Sequence, residues 1–115
     1  MNIEKIKDHY DHAREKHPCF CNHMIPPTWN KESVRDNLNF IRDHLRIQSE
    51  SNNIHWDTVL QCEVMEIVDA IVNRELSDAV EEAYDAIAVL LRVIDVLEGR
   101  QPLGNPERGD LCHEN

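Results

Sequence analysis

The sequence predicts an all-α fold, and three observations carry that expectation. Apolar residues recur at three- and four-residue intervals in four separate segments, the period of an amphipathic helix. No segment shows a competing strand signal. Glycine is scarce, with three in 115 residues, and no unit repeats, so neither a solenoid nor a low-complexity chain is in view.

The first helix is expected from about Ile3 to Glu15, with Ile3, Ile6, Tyr10 and Ala13 in heptad-like register. A loop, HPCFCNHMIPPTW, follows and is stopped by Pro18, Pro26 and Pro27. Asn30 is placed to cap a second helix with the stripe Val34, Leu38, Ile41 and Leu45, which the polar run SESNN ends. The third helix spans roughly Trp56 to Asn73, with Asp57 in its first turn and a main stripe of Leu60, Val64, Ile67, Val68 and Ile71. A short turn, NRELS, leads to Ser77 as N-cap of a fourth helix running to Glu98, with Gly99 as its stop. Residues 1–99 therefore form one domain, an antiparallel bundle of about four helices. Residues 100–115 form an irregular tail, draped over a neighbouring subunit. A helical chain this short commonly completes its core by assembly, and a homodimer or homotetramer is expected.

The net charge is −10 and the pI about 5.0. Such a surface repels phosphate backbones and anionic lipid, so neither nucleic acid nor a membrane is an expected partner. An anionic substrate would need a bridging cation. The start, MNIEKIKDHY, has no apolar signal region, and the longest apolar run, AIAVLL, is too short to cross a bilayer. Cys19, Cys21, Cys62 and Cys112 fit reduced thiols in a cytoplasmic protein, with Cys62 a small core residue.

Two acidic pairs stand out by context. Acids three apart also occur at Asp8 and Asp11 and at Asp95 and Glu98, so spacing alone selects nothing. Glu63 and Glu66, however, lie about 60° apart on the third helix, among Val59, Ala70 and Trp56 rather than on a polar face. On the fourth helix, Glu82 heads the apolar line Ala86, Val89 and Val93, and Asp85 flanks it. A short connection makes these helices antiparallel neighbours. With the chain folded at about residue 74, Glu63 comes level with Asp85, and Glu66 with Glu82. Four carboxylates in one partly buried square repel one another and lose hydration. Protons or a divalent metal must relieve that, and all-oxygen ligands favour Mg²⁺ or Mn²⁺. The plainer alternative is a hairpin whose acids pair with Arg74, Arg92 and solvent.

The pattern Glu63-Val-Met-Glu66, then Glu82-Ala-Tyr-Asp85, resembles the ExxE…ExxD signature of the MazG-like, all-α nucleoside triphosphate pyrophosphohydrolases. That superfamily also includes dimeric dUTPases and phosphoribosyl-ATP pyrophosphatases. The resemblance covers about residues 56–98. It implies that Glu63, Glu66, Glu82 and Asp85 hold Mg²⁺ while water attacks a nucleotide at the α-phosphorus, releasing pyrophosphate and a monophosphate. Glu63 or Glu66 would be the candidate general base. Two positions depart from the family pattern: Cys62 stands where many members carry another Glu, and Tyr84 where many carry Gly.

Further candidates are weaker. Trp56, two turns before Glu63, is placed to stack on a nucleobase, although a core aromatic is the plainer role. His44 is a candidate for contact with base or ribose, against an ordinary exposed helix histidine. Arg92, seven residues after Asp85, can meet a phosphate or neutralise that acid. His17, Cys19, Cys21 and His23 are zinc-ligand types, but the Cys-x-Cys spacing completes no usual site, and Cys112 and His113 are the remaining donors in the tail. No phosphate-binding glycine loop, nucleophile elbow or zinc-protease motif occurs. The expected activity is therefore Mg²⁺-dependent nucleotide pyrophosphohydrolysis. The rivals are a di-iron or di-manganese carboxylate bundle, which lacks its Glu-x-x-His motifs here, and a non-catalytic module that senses a nucleotide or binds a protein.

Overall fold

The computed structural model describes residues 2–103, and these hold four helices with no strand among them. They are α1 (Ile3–Lys16), α2 (Lys31–Glu50), α3 (Trp56–Val72) and α4 (Leu76–Leu97). The expected tail conformation beyond residue 103 lies outside the described residues.

Local chemistry accounts for most helix ends. The Asn30 side chain accepts from the Ser33 amide at 2.9 Å, and the Ser33 hydroxyl accepts from the Asn30 amide at 3.0 Å. This reciprocal capping box satisfies two donors that a helix start otherwise leaves unpaired. Asn2 caps α1 in the simpler way. Between α2 and α3, Gln48 ties the loop down: its Nε2 donates to Thr58 Oγ1 and its Oε1 accepts from the His55 amide, each at 3.0 Å. Gly99, at φ 77°, ends α4, with the Arg100 amide donating back to the Asp95 carbonyl at 2.8 Å.

The connection from α3 to α4 is tighter than the sequence predicts. Arg74 adopts φ 62°. The amides of Arg74 and Glu75 donate to the carbonyls of Ile71 and Ala70 at 3.0 and 2.8 Å. This closes the turn within residues 73–75, so α4 begins at Leu76 and Ser77 lies inside its first turn instead of capping it. Glu75 stands at the cap position without a side-chain hydrogen bond.

Packing centres on α3, which contacts both α2 and α4, whereas the backbones of α2 and α4 do not pack on each other. The result is a three-helix layer, and the described chain measures 44 × 37 × 21 Å. Val34 and Leu38 of α2 are fully buried against Met65, with Trp29, Ile41, Val68 and Val72 around them. The expected four-helix packing is not met within one chain: α1 buries no residue and packs on none of the other helices. Its stripe is a single narrow line in a charged helix, too little apolar surface to anchor it on the layer.

The expected α3 stripe also needs correction. The buried residues are Cys62, Met65, Asp69 and Ala70. Val64 is 43% exposed, while Leu60, Ile67 and Ile71 are half-buried. Of the expected stripe only Val64 turns outward, while Val68 packs against the core, because α3 is clasped on two sides and its inward residues are divided between two neighbours. No helix among the described residues is long and apolar enough to cross a membrane.

Candidate carboxylate site between two helices

The turn at Arg74 sets the register of α3 against α4, and it lies at the fold point that levels the two acidic pairs. Glu66 and Glu82 are hydrogen-bonded to each other across the helices. Glu63 feels the charges of Glu66 and Asp85, and Glu82 those of Glu66, Glu63 and Asp85. The four residues singled out by the sequence are thus one electrostatic unit.

A fifth residue completes it. Arg42 of α2 donates from Nη2 to Glu66 Oε1 at 3.0 Å. Glu66 sits between a guanidinium on one side and Glu82 on the other, and this drives the two carboxyls in opposite directions. The hydrogen bond to Glu66 pushes Glu82 up to about 7, helped by burial and by the charges of Glu66, Glu63 and Asp85. Burial works upwards on Glu66 too. The hydrogen bonds from Glu82 and Arg42, together with the Arg42 charge, outweigh it and hold Glu66 below its ordinary value. The two carboxyls titrate as a pair, with Arg42 favouring the ionised form of Glu66 and so the protonated form of Glu82. Burial, then Glu66 and Asp85, raise Glu63.

Cys62, buried at 5% exposure, lies behind these acids. Burial raises its thiol, and Glu66 and Glu63 add to that against the opposing charge of Arg42. It is an inert core thiol, as the sequence implies.

A cleft of about 410 Å³ opens beside Glu66 and Glu82 and runs towards the turn, past Arg42, Asp69, Glu75 and Asp78. Glu63 and Asp85 lie beyond its lining. Asp69 is the acid that sequence reasoning overlooks. It is 9% exposed, accepts from Arg35 Nη2 at 2.9 Å, and is braced by the Asn73 amide group, whose Nδ2 lies 3.3 Å from Asp69 Oδ1. Its charge is already matched, so it serves to pin α2, α3 and the turn together. Asn73, four residues on, was the available signal; neither Arg35 nor Arg42 could be placed without the rotation of α2.

The remaining candidates stand apart from the four acids. Trp56 opens α3 and is 55% exposed, so the core-aromatic role does not hold within one chain. The exposed His44 leans on Phe40, with ring centroids 5.1 Å apart. Arg92 is exposed and makes no ion pair among the described residues. Cys19, Cys21 and His23 lie in an exposed loop, where the Cys21 thiol meets Met24 Sδ at 3.6 Å. Cys112 and His113 are outside the described residues.

Among the described residues no three acidic, histidine or cysteine side chains converge closely enough to hold a metal ion as they stand. The donor set nevertheless fits a hard divalent cation: all its ligands are carboxylate oxygens. The cluster is also short of positive charge, with one guanidinium set against four acids and a proton retained at Glu82.

The chain was compared with protein-family models, with curated proteins and with solved structures, and none of them matches.

Proposed function

We propose that the chain is a metal-dependent nucleotide pyrophosphohydrolase, cleaving a nucleoside triphosphate or a related nucleotide to the monophosphate and pyrophosphate. The observation that carries this reading is the mutual arrangement of Glu63, Glu66, Glu82 and Asp85. Two helices present them level with one another, and Glu82 is left with a carboxyl poised near neutrality. The resemblance of the ExxE…ExxD pattern to the MazG-like enzymes supports the same conclusion.

In this mechanism Glu63, Glu66, Glu82 and Asp85 would hold Mg²⁺, with Mn²⁺ as a substitute. Mg²⁺ would neutralise phosphoryl charge and lower the pKa of a bound water. The chain's own residues then have definite tasks. Glu82, whose carboxyl is raised beside Glu66, would give up its proton on holding a cation. Glu63, raised by burial and by its acidic neighbours, is suited to accept a proton from the attacking water. Arg42, which donates to Glu66 at the edge of the cleft, is placed where its guanidinium would meet a phosphate oxygen of a bound nucleotide. Trp56, His44 and Arg92 stay candidates for contact with the base, the ribose and the phosphates.

The second reading is a non-catalytic module that senses a nucleotide or binds a protein, and the lack of a converged ligand set favours it. Incubation with a panel of ordinary and modified nucleoside triphosphates plus Mg²⁺ separates the two. Pyrophosphate release is expected from the wild type. Glu82→Ala should lower it at least on the order of 100-fold, the scale set by several kcal/mol of lost charge stabilisation. No turnover across the panel would leave the non-catalytic module standing.

A further inference from the structure

The acidic site occupies one side of the α3–α4 hairpin, and the other side carries a second feature that the proposed activity does not use. Along α4, Val80, Tyr84, Ile87, Leu90 and Ile94, with Leu76 and Leu97 at the ends, form an unbroken line of large apolar side chains. They are 38% (Ile94) to 79% (Leu97) exposed. The buried or half-buried positions of α4 hold mostly smaller apolar residues, Ala79, Ala83, Ala86, Val89, Val93 and Val96, with Leu91, Glu82 and Asp95 half-buried beside them. A helix that leaves seven large apolar side chains this exposed along one line has a second partner to meet.

We infer that this face is the contact between two copies of the chain, joined by antiparallel pairing of α4 with α4 across a two-fold axis at Ile87. Spacing supports the pairing. From Leu76 to Leu97 the steps are four, four, three, three, four and three, averaging the 3.5-residue repeat of a coiled-coil seam. The inner five positions are also symmetric about Ile87, whereas at the ends Leu76 falls opposite Glu98 of the second copy and Leu97 opposite Ser77. Reversal around Ile87 brings Val80 opposite Ile94 of the second copy and Tyr84 opposite Leu90, as an isologous interface requires.

Charge supports the same occupant. In a chain of net charge −10, two copies can meet only where the acids are absent. No charged residue from 76 to 97 falls on this arc, and Glu82 and Asp85 lie roughly 140–160° around the helix from Ile87. Pairing therefore leaves both acidic clefts facing outward. The exposed apolar surface is on the order of 700 Å² per chain, near the ~800 Å² that each partner gives to a standard interface. Among the described residues only Val34 and Leu38 are fully buried, a core too small to leave this face to water.

The test is hydrodynamic and covalent. Sedimentation of the full chain at tens of micromolar should give twice 13.4 kDa, and Ile87→Glu should return it to the single-chain mass. In a background with Cys19, Cys21 and Cys112 replaced by serine, Ile87→Cys should form an intermolecular disulfide on mild oxidation. Glu81→Cys, on the opposite side, should not. The cross-link keeps the test decisive if Ile87→Glu fails to fold. A monomeric wild type, whether α1 or a different protein covers the face, would overturn the proposal. So would an Ile87→Glu dimer, or a dimer that cross-links at residue 81 and not at 87.

Discussion

Glu82 is where sequence, geometry and titration meet in one side chain. Its carboxyl is raised from 4.5 to about 7, so the folded chain binds that proton more tightly than the unfolded chain does. The contribution to stability is full below the unfolded value and is lost as pH rises from about 4.5 to about 7. Glu66 has the opposite sign: its pairing with Arg42 and Glu82 stabilises at neutral pH and is lost as pH falls below its unfolded value. Glu82→Gln keeps a donor towards Glu66 and removes the titration. The variant should therefore lose the part of the wild-type decline in urea midpoint that falls between pH 5 and pH 8. An unchanged slope in the variant would remove Glu82 as its source. If the cluster takes a divalent cation, millimolar Mg²⁺ at pH 8 should raise the wild-type midpoint and leave the variant's nearly unmoved.

At the scale of elements, α3 holds the fold together, and its seam with α2 is where substitutions should be felt most. Leu38 is 1% exposed against Met65. Leu38→Ala should cost about 2–5 kcal/mol by chemical denaturation, in contrast to well under 1 kcal/mol for Phe40→Ala, whose side chain is 65% exposed on the same helix. What the sequence made legible follows the same division between local and tertiary chemistry. The Asn30 cap, the Gly99 stop and the helical spans depend on neighbours within a few residues, and all were readable. The level pairing of Glu63 with Asp85 and Glu66 with Glu82 was readable too, because a three-residue turn leaves little freedom of register. The errors came from helix rotation and from backbone closure. Arg42 and Arg35 reach α3 from 24 and 34 residues away, Val64 turned outward once α3 was clasped on two sides, and hydrogen bonds around Arg74 displaced Ser77 from its cap.

For the whole molecule, the contrast is between a modest core and a long uncovered apolar face. A monomer would unfold at a temperature independent of its concentration, whereas a chain that completes its core with a second copy would not. Pairing through α4 makes unfolding a two-chain event, so each hundredfold rise in concentration adds about 2.7 kcal/mol to the stability of the pair. Spread over the unfolding entropy of two such chains, this is roughly a 5 °C rise in Tm. Calorimetry between 2 and 200 μM should show that shift in the wild type. It should be absent in Leu90→Glu, which places a carboxylate opposite Tyr84 of the second copy but touches neither Val34, Leu38 and Met65 nor the acidic cleft. Pyrophosphate release, where it is observed, then shows whether each outward-facing cleft works alone. A Leu90→Glu chain that stays folded at low temperature should retain its turnover per chain, because the proposed two-fold axis lies on the side of α4 away from Glu82 and Asp85. A wild-type Tm that does not move with concentration would show that the single chain is already the complete folding unit.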